Sequence, residues 1–265
     1  MSRKPRTGLR FQPAGGRQES GPVVGQKQLL TVERLASDGR GIAFVDGRSW
    51  FVSGALPGEQ VRARVLAAGS KVVDAIAERI ERPAPERVEP FCALAGTCGG
   101  CTLQHMPLAR QRAFKQDYLA DQLQRAGVAV AGWEPALTVD DRGYRRRTRI
   151  SVRVEKDGRV QLGYRALASR QIFAVEQCPV LVPELQAVLP ELAAFVRTLQ
   201  HPQAIGHLEL FSGTAIALLV RLTSGLHAAE QQVWREFARQ QQLQLWWQPD
   251  EQPLPDSPDN QLAYR

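Results

Sequence analysis

The stretch that decides the reading is Phe91-Cys92-Ala-Leu-Ala-Gly-Thr-Cys98-Gly99-Gly100-Cys101-Thr-Leu-Gln-His105, answered far downstream by Gln177-Cys178-Pro179. These are all four cysteines of the chain. Three soft ligands in one loop and a fourth from a distant segment suit an iron–sulfur cluster, which takes four thiolates in spacings that differ between families. Gly99 and Gly100 allow the backbone to fold tightly around such a group and aim amides at its sulfides. Pro179 removes a backbone donor beside the fourth ligand, as in ferredoxin-type Cys-Pro pairs. Zinc is the structural competitor. Its ribbons place about two to four residues between paired ligands, a spacing that only Cys98 and Cys101 have. Unrelated buried cysteines account poorly for a Cys-Gly-Gly-Cys turn.

Composition sets the surroundings of that constellation. Hydrophobic residues make up 43% and charged residues 23% of 265 residues, as in an ordinary globular protein of one or two domains. No run of about 18 apolar residues exists, so no membrane partner is expected. The basic N-terminus has no apolar stretch behind it and is no secretory signal. A cytoplasmic monomer is expected, in a reducing compartment where disulfides are disfavoured and cysteines turn to metal chemistry.

Net charge is +7, concentrated in two blocks. Residues 1–28 carry six Lys/Arg against Glu19, and residues 142–170 carry ten against Glu155 and Asp157, whereas Asp250–Asp259 is acidic. Two separated basic blocks fit a polyanion better than a small substrate.

Residues 1–27, rich in Gly, Pro and charge, read as a disordered basic arm. Residues 28–84 hold five candidate strands, Leu29–Leu35, Gly41–Val45, Arg48–Val52, Gln60–Leu66 and Val72–Arg82, with turns at Asp46-Gly47 and Pro57-Gly58, and predict a small OB-like β-barrel. Pro83, Pro85 and Pro90 make a stiff linker. Residues 85–265 mix the two periodicities. A helix is expected over Pro107–Ala126, stopped by Gly127, and a hairpin over Arg147–Val154 and Val160–Tyr164 around Lys156-Asp157-Gly158. Helices are expected near Glu184–Leu199, broken or kinked at Pro190, and Leu226–Gln242, with a second hairpin over His207–Phe211 and Ala215–Leu222. The fold class predicted is a multidomain α+β protein.

The basic segment Tyr144-Arg145-Arg146-Arg147-Thr148-Arg149 is the candidate RNA contact. On a strand Arg145, Arg147 and Arg149 share one face and Arg146 takes the other. Guanidiniums bind phosphates bidentately and Tyr144 can stack on an unpaired base, with at least one arginine kept for an internal ion pair. Arg165 extends the patch, and Arg40 in a Gly-flanked loop is a phosphate candidate of the barrel. Of Trp50 and Phe51 one is core and one presented. His105, His201 and His207 read as structural, and Trp246 and Trp247 as core packing.

Cys92-x5-Cys98-Gly-Gly-Cys101, Gly143-Tyr144-Arg145-Arg146-Arg147, Gly163-Tyr164-Arg165 and Gln177-Cys178-Pro179, in this order, resemble the bacterial 23S ribosomal RNA (uracil-C5)-methyltransferases. The barrel segments Asp38-Gly-Arg40-Gly-Ile-Ala43 and Gly54-Ala-Leu-Pro-Gly-Glu59 resemble a TRAM domain and place the likeness on the TRAM-bearing branch, similar to the uracil-1939 type. The resemblance covers about residues 28–265. It implies that Cys92, Cys98, Cys101 and Cys178 bind a [4Fe–4S] cluster, that the barrel helps hold 23S rRNA, and that a catalytic domain makes 5-methyluridine from S-adenosylmethionine. In that chemistry a cysteine thiolate adds to C6 of uracil, the enolate takes the methyl at C5, and a carboxylate helps remove the C5 proton.

The resemblance also implies a departure. With four cysteines assigned to the cluster none is left as nucleophile, and no Gly-rich strand–helix turn suits S-adenosylmethionine. The expectation is a chain truncated before a Rossmann-like methyltransferase domain, which would be absent, so that the chain alone is inactive and residues 102–135 pack on the missing part. Two other classes share some of these features. A non-enzymatic RNA-binding protein with a structural metal is one. A radical methylthiotransferase is the other, but it carries three closely spaced cysteines and a C-terminal TRAM domain.

Overall fold

The computed structural model describes residues 21–263, so most of the predicted arm at 1–27 lies outside the described residues. Two sheets organise the chain. The first contains β1 (Lys27–Thr31), β2 (Arg34–Leu35), β3 (Gly41–Val45), β4 (Arg48–Ser53), β5 (Gln60–Ala68) and β6 (Val72–Arg82), in the spatial order β1-β5-β6-β4-β3-β2. All pairs are antiparallel except β4 with β6.

The predicted strand Leu29–Leu35 is divided in two, and the division closes the barrel. Up to Thr31 the run pairs with β5; at Val32 it turns to the Pro57–Glu59 corner, with Val32 N–H to Glu59 O at 2.9 Å and Gly58 N–H to Val32 O at 2.8 Å; from Arg34 it pairs with β3. One run thus serves both edges of the sheet, and no long edge is left unpaired. The enclosed core holds Leu30, Val32, Trp50, Val52, Val61, Val65 and Val73. Asp46 and Gly47, both at positive φ, form the β3–β4 turn.

The second sheet is mixed. Its strands are β7 (Arg147–Val154), β8 (Val160–Arg165), β9 (Ile172–Ala174), β10 (Ile205–Ser212), β11 (Ile216–Leu222), β12 (Gln244–Gln248) and β13 (Leu254–Pro255), ordered β13-β12-β11-β10-β7-β8-β9. Helices α2 (Pro183–Val196) and α3 (Ala228–Gln240) cover one face. There Ile150, Leu162, Leu185, Leu189, Leu192, Leu208, Leu218, Val220 and Trp234 form the larger core. Pro190 leaves α2 unbroken, because that face is buried over its whole length. Segment β11–α3–β12 is a parallel crossover. The α+β prediction missed it, because Gln-Leu-Trp-Trp-Gln at 244–248 was not read as a strand.

Helix α1 (Leu108–Arg125) forms as the periodicity requires, yet none of its residues is buried. Tyr118 and Leu119 remain 41% and 48% exposed. Beside it opens a cleft of about 930 Å³ lined in part by Phe91, Cys101, Leu119, Trp133 and Tyr144.

A small third cluster joins the barrel to the cysteine loop: Leu56, Ala84 and Met106 with Leu35 and Leu103 around them. At its heart lies Glu59, 0% exposed. Its carboxylate accepts from Leu56 N–H at 2.8 Å, Ala84 N–H at 3.2 Å and Arg87 Nη2 at 2.8 Å. Burial opposes ionisation, but these donors outweigh it and hold the carboxyl below its ordinary value. One side chain therefore ties a barrel turn, the linker and Arg87 together.

Replacing Glu59 with Ala should cost about 3–5 kcal/mol in urea unfolding at pH 7, since it strands a half-buried guanidinium and two amides. A loss below 1 kcal/mol would show that the joint does not depend on this carboxylate.

Candidate functional site: a cysteine cage beside a basic strand

The cage assembles from loop backbone. Residues 91–107 form no regular element, and their shape is fixed by short-range turns and by one strand end. Cys98 N–H and Thr97 N–H bond back to Leu94 O, and Cys92 N–H bonds to Gln104 Oε1 at 3.2 Å. Gly99 N–H donates to Arg165 O at 3.2 Å and Leu167 N–H to Thr97 O at 2.8 Å, so the Cys98 loop is stitched onto the chain leaving β8.

The fourth cysteine arrives in parallel with the basic segment. Gly143 N–H bonds to Pro179 O at 3.0 Å, Arg145 N–H to Val180 O at 2.8 Å, and Val182 N–H to Arg145 O at 3.1 Å. Arg145 and Leu181 form an isolated parallel bridge. The segment singled out for RNA is thereby hydrogen-bonded to the loop that carries Cys178.

All four thiols line one small cavity of about 60 Å³, together with Gln104, Arg145, Tyr164 and Gln177. Gly100 N–H points at Cys98 Sγ at 3.3 Å, and a Cβ on Gly100 would stand 3.3 Å from the same sulfur. Glycine thus lets an amide approach the sulfur closely. Burial pushes the Cys98 and Cys178 thiols up, against the opposing N–H groups of Gly100 and Val180. Among the described residues no set of three or more His, Cys, Asp or Glu is gathered tightly enough to hold a single metal ion. A tetrahedral zinc site, with Zn–S near 2.3 Å, needs its sulfurs about 3.8 Å apart.

The arginines separate into two groups. Arg147 and Arg149 lie on one face of β7, opposite Phe211 and Glu209 of β10. Glu209 is 3% exposed and binds both: Arg147 Nη2 at 2.7 Å and Arg149 Nε at 2.6 Å, with Arg147 also over the Phe211 ring at 5.0 Å. Burial disfavours the Glu209 carboxylate, but the two guanidiniums prevail and keep it below the ordinary range. Thr148 and Ile150, on the other face, are buried. Arg145, Arg146 and Arg165 are exposed and form no salt bridge among the described residues. Tyr144 is 45% exposed at the lip of the larger cleft.

In the barrel Arg40 bonds Asp38 and, at 2.7 Å, Asp74, and its guanidinium lies 4.7 Å from the Phe51 ring centre. The loop arginine is thus braced from two sides. Trp50 is in the core and Phe51 is presented, under Arg40. His105 is buried, and desolvation helped by Arg87 lowers it to about 4, so it is neutral at pH 7. His201 bonds Glu230 at 2.9 Å. Glu59 and Tyr164 stand in segments that carry the resemblance but were assigned no role there, and Glu209 is a single acid in the apolar run His207–Phe211, a signal that is visible but unspecific.

Residues 23–77 match the TRAM domain family. The chain is 51% identical over 264 residues to 23S rRNA (uracil(1939)-C(5))-methyltransferase RlmD of Pseudomonas putida KT2440, covering 99% of this chain and 58% of that protein. Against the protein of the same name from Pseudomonas aeruginosa PAO1 it is 50% identical over 259 residues, 97% of this chain and 58% of the relative. The chain thus spans less than two thirds of the curated relatives it matches.

Among solved structures it is similar to a Pyrococcus abyssi tRNA (uracil-54, C5)-methyltransferase in complex with S-adenosyl-L-homocysteine, with TM-score 0.58, 20% identity, and 89% of this chain and 53% of that one covered. This overturns the prediction of an α+β chain from which the methyltransferase fold is absent. Nearly the whole chain superimposes on about half of that methyltransferase, and it aligns with its relatives over almost its entire length. The physical error lay in taking missing motifs for a missing fold, since a fold is set by long-range pairings that sequence spacing does not reveal.

Glu209 carries the pH sensitivity of the basic strand. Its folded pKa is depressed, so the stability it contributes is complete above the unfolded carboxylate value near 4.3 and is lost as pH falls through the folded value. Glu209→Gln should cost about 1–3 kcal/mol at pH 7 and flatten the acid limb of the stability curve. An acid limb identical to wild type would refute this role for Glu209.

Proposed function

We propose that this chain belongs to the 23S rRNA (uracil-C5)-methyltransferases, in which it grips rRNA and holds a [4Fe–4S] cluster on Cys92, Cys98, Cys101 and Cys178. The observation that carries the reading is the single cavity lined by all four thiols and walled by the loop hydrogen-bonded to the basic strand. Four thiols around one cavity match the four thiolates that an iron–sulfur cluster takes. The Gly100 amide supports it as well, since cluster sulfurs accept such bonds. Once bound, the cluster supplies a rigid cross-link between segments distant in sequence.

The remaining steps belong to the chain's own residues. Arg145, Arg146 and Arg165 present unpaired guanidiniums for phosphates, while Arg147 and Arg149 keep their outward faces available, fixed in direction by Glu209. Tyr144 offers a ring for an unstacked base. Arg40, with Phe51 beneath it, extends the surface onto the barrel. The RNA partner is 23S rRNA, by similarity to the relatives.

The methyl donor class is S-adenosylmethionine, because the named reaction of the relatives adds a methyl group at C5. The strand–helix turn of the crossover, residues 223–227, carries one glycine and does not fit the Gly-rich turn that the resemblance requires. That turn is therefore no cradle for the donor.

Purified without oxygen, the protein should be brown with about four irons per chain, and Cys178→Ser should bleach it; colourless protein with one zinc would refute the cluster. Affinity for an rRNA fragment should fall steeply with salt, and replacing Arg145 or Arg146 with Ala should reduce the log–log slope by about 0.7 for each phosphate no longer neutralised. Disrupting the gene should remove one 5-methyluridine from 23S rRNA digests, and an unchanged content would overturn the assignment.

A further inference from the structure

Strands β12, β11, β10 and β7 turn every second side chain away from α2 and α3. Leu245 and Trp247 of β12 lie on the helix side, in and against the larger core. Trp246 between them faces the opposite way, so of the tryptophan pair expected in the core only Trp247 lies there. Register carries the alternation across the sheet. Trp246 pairs with Leu219, Leu219 with Glu209, and Glu209 with Arg149. One flanking row runs from Gln244 through Ala217 and Phe211 to Arg147, and the other from Gln248 through Arg221 to His207. Arg165 of β8 is on this face too, since Leu162 and Tyr164 belong with the core on the other.

We propose that this face of the mixed sheet is the bed of a single-stranded segment of RNA, in which Trp246 stacks on an unpaired base and Arg221 beside it neutralises a phosphate. The proposal rests on the reading of Arg145–Arg149 and Arg165 as an RNA surface. It extends that surface from β7 across β10 and β11 to β12, about 14 Å at the usual spacing of strands.

Charge favours a polyanion here over a protein partner. The only acid in strands β7, β8, β10, β11 and β12 is Glu209, and Arg147 and Arg149 already hold it. Arg221 is held differently. Its Nη1 donates to the carbonyl of Gln248 at 2.8 Å and to that of Pro249, and it forms no salt bridge among the described residues. Carbonyls aim the guanidinium without cancelling its charge, which leaves the cation for a phosphate.

The rings sit among these cations. Phe211 lies under the Arg147 guanidinium at 5.0 Å, so that end of the face presents a cationic plane. Trp246 is partly exposed. Its indole N–H and the Oε1 of Gln244, two residues before it on the same face, have no hydrogen-bond partner among the described residues. No polar contact of the ring nitrogen ties the ring to the sheet, and a bound nucleotide is able to supply the partners both groups lack. An open four-stranded sheet with rings on its free face is the geometry that stacks about two or three splayed bases.

The test uses the whole chain and an oligouridylate of about ten nucleotides carrying 5-iodouridine. Irradiation should cross-link the probe to the peptide that contains Trp246, read by mass spectrometry. Trp246→Leu should lower affinity about 5- to 100-fold without changing the slope of log affinity against log salt, and Trp246→Phe should restore most of it, because stacking needs a ring and no charge. Arg221→Gln keeps a donor for the two carbonyls and should reduce that slope by about 0.7. Wild-type affinity in Trp246→Leu and wild-type slope in Arg221→Gln, with cross-links confined to residues 144–149 and 165, overturn the proposal; the RNA surface around Arg145 then stands, and the sheet face is left to a protein partner. A wild-type chain with no affinity for the probe overturns both. Should Trp246→Leu lose its fold, judged by circular dichroism, Arg221→Gln and the wild-type cross-link decide: an unchanged slope with no cross-link at Trp246 overturns the proposal.

Discussion

The cysteine cage is closed by backbone hydrogen bonds between loops, and much of the molecule serves to hold those loops in place. Residues 97–99 are stitched to 165–167 at the end of β8, and residues 179–182 are stitched to 143–145 before β7. Neither stitch belongs to a helix or a long ladder, so each depends on the strand beside it. β7 and β8 pair with one another over Ser151–Val154 and Val160–Gly163. They are set by the core beneath them, through Ile150, Val152 and Leu162 against Leu185 and Leu189 of α2. The apolar core therefore fixes thiol positions at one remove, and burial in the core supplies the free energy that loop closure costs.

The other side of the cage depends on a buried charge. Glu59 accepts hydrogen bonds from the barrel turn, the linker and Arg87, and packs beside the Leu56–Ala84–Met106 cluster just below the cysteine loop. A lone buried carboxylate would be a heavy cost; with its donors in place it becomes an orienting device. Glu209 repeats the arrangement at the surface, where one buried carboxylate aims two exposed arginines. Both sites use an acid to fix the direction of basic groups. An RNA-binding surface benefits, because prepositioned guanidiniums lose less entropy on meeting phosphate.

Local signals in the chain carried much of the element pattern. The periodicity of residues 107–126 yields α1, and the Asp46-Gly47 and Lys156-Asp157-Gly158 turns yield hairpins with their glycines at positive φ. Three features went unread, each because a distant partner decides it. The run Leu29–Leu35 splits where it changes partner from β5 to β3. Pro190 stays within a helix because one whole face of α2 is buried. Gln244–Gln248 is a strand because it pairs in parallel with β11, a relation that α3 makes possible. The prediction of an absent methyltransferase fold failed for the same reason: motifs are local, whereas a fold is a set of long-range pairings.

By itself the sequence determined which atoms were available: four thiols in a distinctive spacing, a Gly-Gly turn between two of them, and a run of arginines on a strand. Spacing along a chain limits which donors can meet, and that is enough to name candidates for the cage and for the RNA surface. Only the tertiary structure decided how they meet. It brought Cys178 to the other three across 76 intervening residues, set Tyr164 in the wall of the cage, and gave Arg147 and Arg149 a common anchor in Glu209, 60 or more residues away. Those choices rest on pairing register and burial, which depend on every strand in the sheet together and are written in no single segment.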